Sequence, residues 1–231
     1  AALLFIIGLM QMGSPVTAKR GIKWAGVGMV IATVVTFVAP STWGTHGIDP
    51  LNLGLMVVAI VLSFVFWVWG KRVPITDMPQ MVAIFNGMGG GSAAAIGAYA
   101  LINSAAHTGA CTPVDMAAHA CMDTTKLVLA VLGSLIGAVS FSGSVIAWAK
   151  LDGRLDKRFS FSGQQMVNLL VFVACLGLGA WLVFELDVRV IIAFFVLTLI
   201  FGVLMTLPIG GADMPVVISL YNAFTGLAVA F

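Results

Sequence analysis

The chain has 231 residues, 61% of them hydrophobic and only 9% charged, with a net charge of +2, and its mean hydropathy is +1.10. Soluble domains carry about 25% charged residues, so a water-soluble fold is excluded, and no nucleic-acid partner is expected. Apolar runs recur along the whole length, which makes the lipid bilayer the first partner of this chain.

A bilayer core ~30 Å thick is crossed by about 20 apolar residues of helix. Eight segments meet or approach that requirement: Ala1–Met12 (partial), Ile22–Ala39, Leu51–Gly70, Met78–Ile102, Leu127–Ala149, Met166–Phe184, Val188–Leu207 and Pro215–Phe231. The expected fold is therefore all-α, a polytopic transmembrane helix bundle of about eight spans. The first run lacks the basic start and cleavage site of a signal peptide. It reads as the remainder of a first helix, and the last run also looks cut short. The whole of 1–231 is thus expected to be one membrane domain, truncated at both ends. Connections are short and rich in Pro, Gly and charge, except for a long one at Asn103–Lys126.

If loops alternate sides, one side holds Lys19, Arg20, Lys23, Lys71, Arg72, Lys150, Arg154, Lys157 and Arg158, and the other only Lys126 and Arg189. By the positive-inside rule the first set is cytoplasmic. The polar loop flanked by Cys111 and Cys121 then faces outward, where a disulfide between them is possible. Cys175, in an apolar run, is expected to be a packing residue. No cysteine or histidine spacing suggests a metal site. Glu185, Asp187 and Arg189 share an outward turn and are expected to pair with one another.

An internal repeat is the most informative pattern. Asp77-Met78-Pro79 recurs as Asp213-Met214-Pro215, Phe85-Asn86 as Tyr221-Asn222, and Gly90 as Gly226, all at an offset of 136 residues. Four spans separate the copies, so both enter the membrane in the same direction, a parallel repeat of a kind used to build transporters.

Several polar groups within the spans could carry chemistry. Asp77 and Asp213 stand where a side chain can cap a helix whose first turn holds Pro. Alternatively, they mark the cytoplasmic mouth of a pathway and sense the charge of a soluble domain docked there. Asn86 and Asn222 lie nine residues further on, ~13 Å into the membrane at 1.5 Å per residue. There an amide needs a partner. It either ties helices together or orients water, and the two roles are compatible. Ser140, Ser142 and Ser144 add hydroxyls to the fifth span. Hydroxyls of this kind often bond back to their own helix, and Ser142 and Ser144 are the candidate pathway lining. No Asp, Glu, His, Lys or Arg occupies the middle of any span. His46, His107 and His119 all fall in loops. The chain alone therefore offers no midplane proton-binding group. Gly87–Ser92 fails the dinucleotide-loop register and follows no strand; its small residues suit close helix approach.

The strings Gly210-Gly211-Ala212-Asp213-Met214-Pro215-Val216-Val217, Thr76-Asp77-Met78-Pro79-Gln80-Met81-Val82-Ala83 and Gly137–Val145 resemble, in family order, the membrane part of the β subunit of proton-translocating NAD(P) transhydrogenases. The long Asn103–Lys126 connection is not part of the resemblance. The family likeness implies an enzyme that passes hydride between NAD(H) and NADP(H) in soluble domains, coupled to a proton crossing the membrane. It implies an inner-membrane location and an α subunit that carries the NAD(H) domain and further helices. An NADP(H)-binding domain of the same protein, absent from these residues, and a dimer of protomers are also implied. No cofactor or hydride-transfer site is expected on this chain. The likeness gives channel or coupling roles to Asn222, Asp213 and Ser144. Where this chain has Asn86, many members have a His proposed to exchange the proton, so a titratable group is expected from the α subunit. Two other classes stay open on the residues alone. One is a secondary transporter with its site between the repeats, and the other is a membrane anchor that only assembles partners.

Overall fold

The computed structural model describes residues 1–38, 50–106, 122–155 and 157–231. The described residues are almost entirely helical and contain no strand. Among the described residues there are eight α-helices: α1 (Ala2–Met12), α2 (Ala18–Val38), α3 (Pro50–Gly70), α4 (Met78–Ala106), α5 (Thr124–Leu151), α6 (Gln164–Phe184), α7 (Val188–Thr206) and α8 (Met214–Ala230). Seven are long and apolar enough to cross a membrane, and α1 is shorter. The bounds fall within four residues of those predicted.

The chain forms two compact units, Ala1–Lys71 and Arg72–Phe231. In the first, α1 and α2 make an antiparallel hairpin. Their crossing depends on Gly8 and Gly21, since a Cβ on Gly8 would stand 2.9 Å from the Gly21 carbonyl oxygen. Helix α3 has no buried residue.

The second unit is built around α5, which packs against α4, α6, α7 and α8. In its most apolar stretch 61% of residues are buried, against at most 33% in any other span. Lipid is as apolar as leucine, so helices associate by close packing and polar contacts, not by hiding hydrophobic faces. The buried positions of α5 accordingly include Gly133, Ser134, Gly137, Ala138, Ser140, Gly143, Ser144 and Ala147.

Contact order along the helices gives their directions. Gly87 meets Ser144 while Gly97 meets Ser134, so α4 and α5 are antiparallel. Gly143 meets Tyr221 while Gly133 meets Ala228, so α5 and α8 are antiparallel too. The two repeat helices therefore run parallel, and Gly89 of α4 faces Thr225 of α8. The likeness extends to local structure: a 3₁₀ turn at Ile75–Asp77 leads into α4, and another at Gly211–Asp213 leads into α8. Helix α7 runs parallel to α5, with Gly202 beside Val139 and Leu207 beside Lys150.

Two local expectations are corrected. Asp213 makes no side-chain capping bond to α8; its carboxylate instead lies 3.6 Å from Arg158 Nη2. Asp187 does not pair with Glu185 or with the Arg189 guanidinium. It accepts the Arg189 backbone N–H at 2.8 Å and caps α7, satisfying an otherwise free helix donor at no cost in side-chain ordering of the arginine.

Candidate functional site: a polar seam between the repeat helices

Asn86 is 6% exposed, set into the α4–α5 crossing by the small residues around it. Gly87 faces Ser144, and a Cβ on Gly90 would stand 2.9 Å from the Gly137 carbonyl oxygen. The run that sequence reading set aside as a nucleotide loop is thus a helix-crossing surface. At this closeness Asn86 Nδ2 donates to Ser144 Oγ at 2.9 Å and to Ser140 Oγ at 3.3 Å.

Ser140 continues the seam to α8. Its hydroxyl donates to the Tyr221 carbonyl oxygen at 3.0 Å and lies 2.6 Å from Thr225 Oγ1. One hydroxyl hydrogen and two lone pairs assign the partners: Ser140 gives its hydrogen to Tyr221 and accepts from Asn86 and Thr225. Further along, Thr206 donates to the Gly202 carbonyl at 2.8 Å, so the 2.6 Å contact between Thr206 Oγ1 and Tyr221 Oη is donated by the tyrosine. The ring of Tyr221 fits only because Gly143 has no side chain.

Elsewhere Gln11 Oε1, Gln80 Oε1, Ser134 Oγ and Asn168 Oδ1 are also buried without a partner, but within this seam the accounting closes except at Asn86. Its Oδ1 is buried and has no hydrogen-bond partner. Turning the amide over would let the oxygen accept from Ser144 and leave the nitrogen unpaired instead. An orphaned buried polar atom costs about 1–3 kcal/mol, and such a site can take a water molecule or a polar group from another subunit.

The structure brings together Asn86 and Ser144 and leaves the other two candidate pathway residues apart. Ser142 bonds back to the carbonyls of Ala138 (3.1 Å) and Val139 (3.4 Å) on its own helix and faces Gly202 of α7. Asn222 is exposed on the outer face of α8, where Tyr221 takes the inward position. Ser140, Thr225, Tyr221 and Thr206 were missed as seam residues. Ser140 was recoverable, because residues four apart share a helix face and Ser140 therefore accompanies Ser144. Nothing in the sequence links Thr206 to Tyr221.

Asp77 and Asp213 are both exposed and start parallel helices, so they stand at the same end of this unit. Asp77 Oδ1 accepts the Thr76 hydroxyl at 3.0 Å. Cys175 is buried and unpaired in the apolar core, as a packing residue should be. Cys111 and Cys121, with the three histidines, lie outside the described residues. Among the described residues no cluster of three or more His, Cys, Asp or Glu could hold a metal.

Because the seam bonds run between helices, their individual weights are measurable. Thr225→Val keeps the shape and removes the hydrogen given to Ser140. It is expected to lower stability by about 0.6 kcal/mol, the average for an interhelical bond in a membrane, read as a small fall in the thermal midpoint of the detergent-solubilised protein.

Comparison with known proteins now adds the lineage. The family model described as "NAD(P) transhydrogenase beta subunit" matches residues 1–231. The "NAD(P) transhydrogenase subunit beta" of Rhodospirillum rubrum is 33% identical over 232 residues, covering 100% of this chain and 47% of that protein. The protein of the same name from a designated strain of that species aligns with the same identity and coverage. The chain thus spans about half the length of the curated relatives it matches. With seven helices among the described residues long and apolar enough to cross a membrane, and with the two Asp-Met-Pro helices in parallel, this chain belongs to the NAD(P) transhydrogenase β subunit family.

Proposed function

We propose that this chain is the proton-conducting membrane part of an enzyme that couples hydride transfer between NAD(H) and NADP(H) to proton movement across the bilayer. The observation that carries this reading is the Asn86 amide, buried between α4 and α5, held by two serine hydroxyls and left with one unpaired atom. A bundle built only as an anchor has no use for an orphaned amide in hydrocarbon. A proton path does, because an amide beside hydroxyls holds water in a fixed orientation.

Among the described residues no carboxylate, imidazole or cationic side chain touches Asn86. The group that takes up the proton then comes from the α subunit, whose helices would cover the outer face of α8 where Asn222 stands. The NADP(H)-binding domain, in the remaining length seen in the relatives, docks at the end of the bundle marked by Asp77 and Asp213. NAD(H) is held by the α subunit, and this chain holds neither nucleotide. The basic loops lie on the cytoplasmic side of the inner membrane, and two protomers pair. Hydride exchange between two nicotinamides is nearly balanced, so the gradient sets its direction: one charge crossing 100 mV is worth ~2.3 kcal/mol, more than a tenfold bias.

The test is Asn86→Leu in the full-length enzyme with its partner subunits, reconstituted in sealed vesicles. Proton uptake per unit time is expected to fall at least about tenfold, the size of one lost midplane polar step, with nucleotide binding unchanged. Wild-type uptake by this variant would overturn the reading.

A further inference from the structure

At the end of the second unit where α4 and α8 begin, two helix C-termini converge on a single buried cation. Helices α5 and α7 run parallel, so the negative ends of both dipoles lie at this level. Lys150, in the last turn of α5, is 5% exposed. Its ammonium donates to the Leu207 carbonyl and, at 2.6 Å, to the Ile209 carbonyl. These carbonyls belong to the turn that leads from α7 into Asp213 and α8. The next residue, Leu151, accepts from Gln80 Nε2 at 3.3 Å, in the first turn of α4. Two consecutive residues of α5 therefore hold the starts of both repeat helices. Beneath them Ala83, Ala147, Met214 and Ile218 form one packed cluster. On the surface side, Arg158 pairs with Asp213.

Packing does not explain a lysine here. A buried ammonium is costly unless its hydrogens are taken up, and a methionine would fill the same space without that cost. Among the described residues the ion pairs are Arg154–Asp152 and Arg158–Asp213, so Lys150 is held by carbonyls alone. Such a bond fixes the position of a turn and loosens only when the turn itself moves.

We infer that Lys150 is a positioning residue for coupling. It ties the Asp213 turn to α5, so a displacement of the Asp213–Arg158 pair by a docked nucleotide-binding domain shifts α8 against α5. The Gln80–Leu151 bond carries the same shift to α4, and Asn86 and Thr225 move together relative to Ser140. This rests on the proton-conducting reading above.

The experiment compares Lys150→Met, Lys150→Arg and Asn86→Leu in the full-length enzyme with its partner subunits in sealed vesicles. The readout is protons moved per hydride transferred, alongside hydride transfer after the gradient is dissipated. Lys150→Met is expected to lower the proton-to-hydride ratio at least about tenfold, what one lost hydrogen bond to a charged group gives. Dissipated-gradient transfer should stay within about twofold, since on the reading above this chain holds neither nucleotide, and Lys150→Arg should restore the ratio through its retained charge. A wild-type ratio in Lys150→Met overturns the inference, and so does equal loss of both activities that Lys150→Arg does not rescue. If Lys150→Met does not assemble, Gly210→Ala decides. Its Cβ would stand 2.5 Å from Arg158 Nε and push a flexible side chain off the turn without removing a buried charge. An unchanged ratio in that variant overturns the inference, and a lowered one supports it. Normal pumping by Asn86→Leu would instead remove the proton-conducting reading itself.

Discussion

Gly137→Leu in α5 is expected to leave no correctly assembled second unit. A Cβ at position 137 would stand 2.8 Å from both the Gly90 carbonyl oxygen and the Ala94 nitrogen. Both obstacles are main chain in the middle of α4, so no rotamer change relieves the overlap. The helices must separate, and the Asn86 bonds to Ser144 and Ser140, at 2.9 and 3.3 Å, do not survive a displacement of an ångström. Overpacking a soluble core costs about 1–3 kcal/mol. The cost here is expected at or above the upper end, because in lipid close approach is itself the driving force for association. Gly177→Leu is the matched control, since a Cβ there meets nothing within 4 Å and leucine is a better helix former than glycine. Size-exclusion profiles in mild detergent should show aggregate for the first variant and a wild-type peak for the second. A wild-type peak and thermal midpoint for Gly137→Leu would contradict the crossing described above.

The second large effect is expected at Tyr221. Among the described residues it is the largest fully buried side chain, and it separates α5 from α7 at the level of Gly143 and Thr206. Tyr221→Ala opens a cavity that neighbours cannot fill without breaking the Ser140 bond to the Tyr221 carbonyl. Aromatic-to-alanine changes in cores cost about 3–5 kcal/mol. The low end, about 3 kcal/mol, is expected here, because removal into lipid lacks the water-transfer part of that cost. Tyr221→Phe separates ring from hydroxyl: it should cost only about 0.6 kcal/mol, since Thr206 keeps its own bond to Gly202. Thermal midpoints of the two variants should therefore differ clearly, and equal midpoints would show that the ring fills no essential space.

How the helices are cut from the chain was legible in the residues; which way each one faces was not. Apolar runs end at Lys71-Arg72, Glu185 and Gly210-Gly211 because charge and turn residues cannot remain in hydrocarbon, and the helix bounds follow. The repeat was readable for the same reason, since Asp-Met-Pro fixes the start of α4 and of α8 alike. Facing is a different matter. A soluble helix announces its inner side by an apolar stripe, whereas these helices are apolar all round. So Tyr221 and Asn222, neighbours in sequence, could not be sorted, and the structure turns the tyrosine inward. Ser140 and Ser142 posed the same problem. The i+4 relation between Ser140 and Ser144 was the one available clue, and hydroxyl count obscured it. Size was the more reliable guide: the glycines at 87, 90, 137 and 143 do mark the faces that meet.

The central place of α5 bears on how the protein is made. A ribosome delivers α4 and α5 into the bilayer before α6, α7 and α8 exist. The glycine crossing at Gly90 and Gly137 lets these two zip together at once, and the Asn86–Ser144 contact lies within that early hairpin. Ser140 must wait for α8 before its donor reaches the Tyr221 carbonyl. Biogenesis is thus expected to proceed from a nascent pair that already carries half of the seam, onto which three later helices are templated.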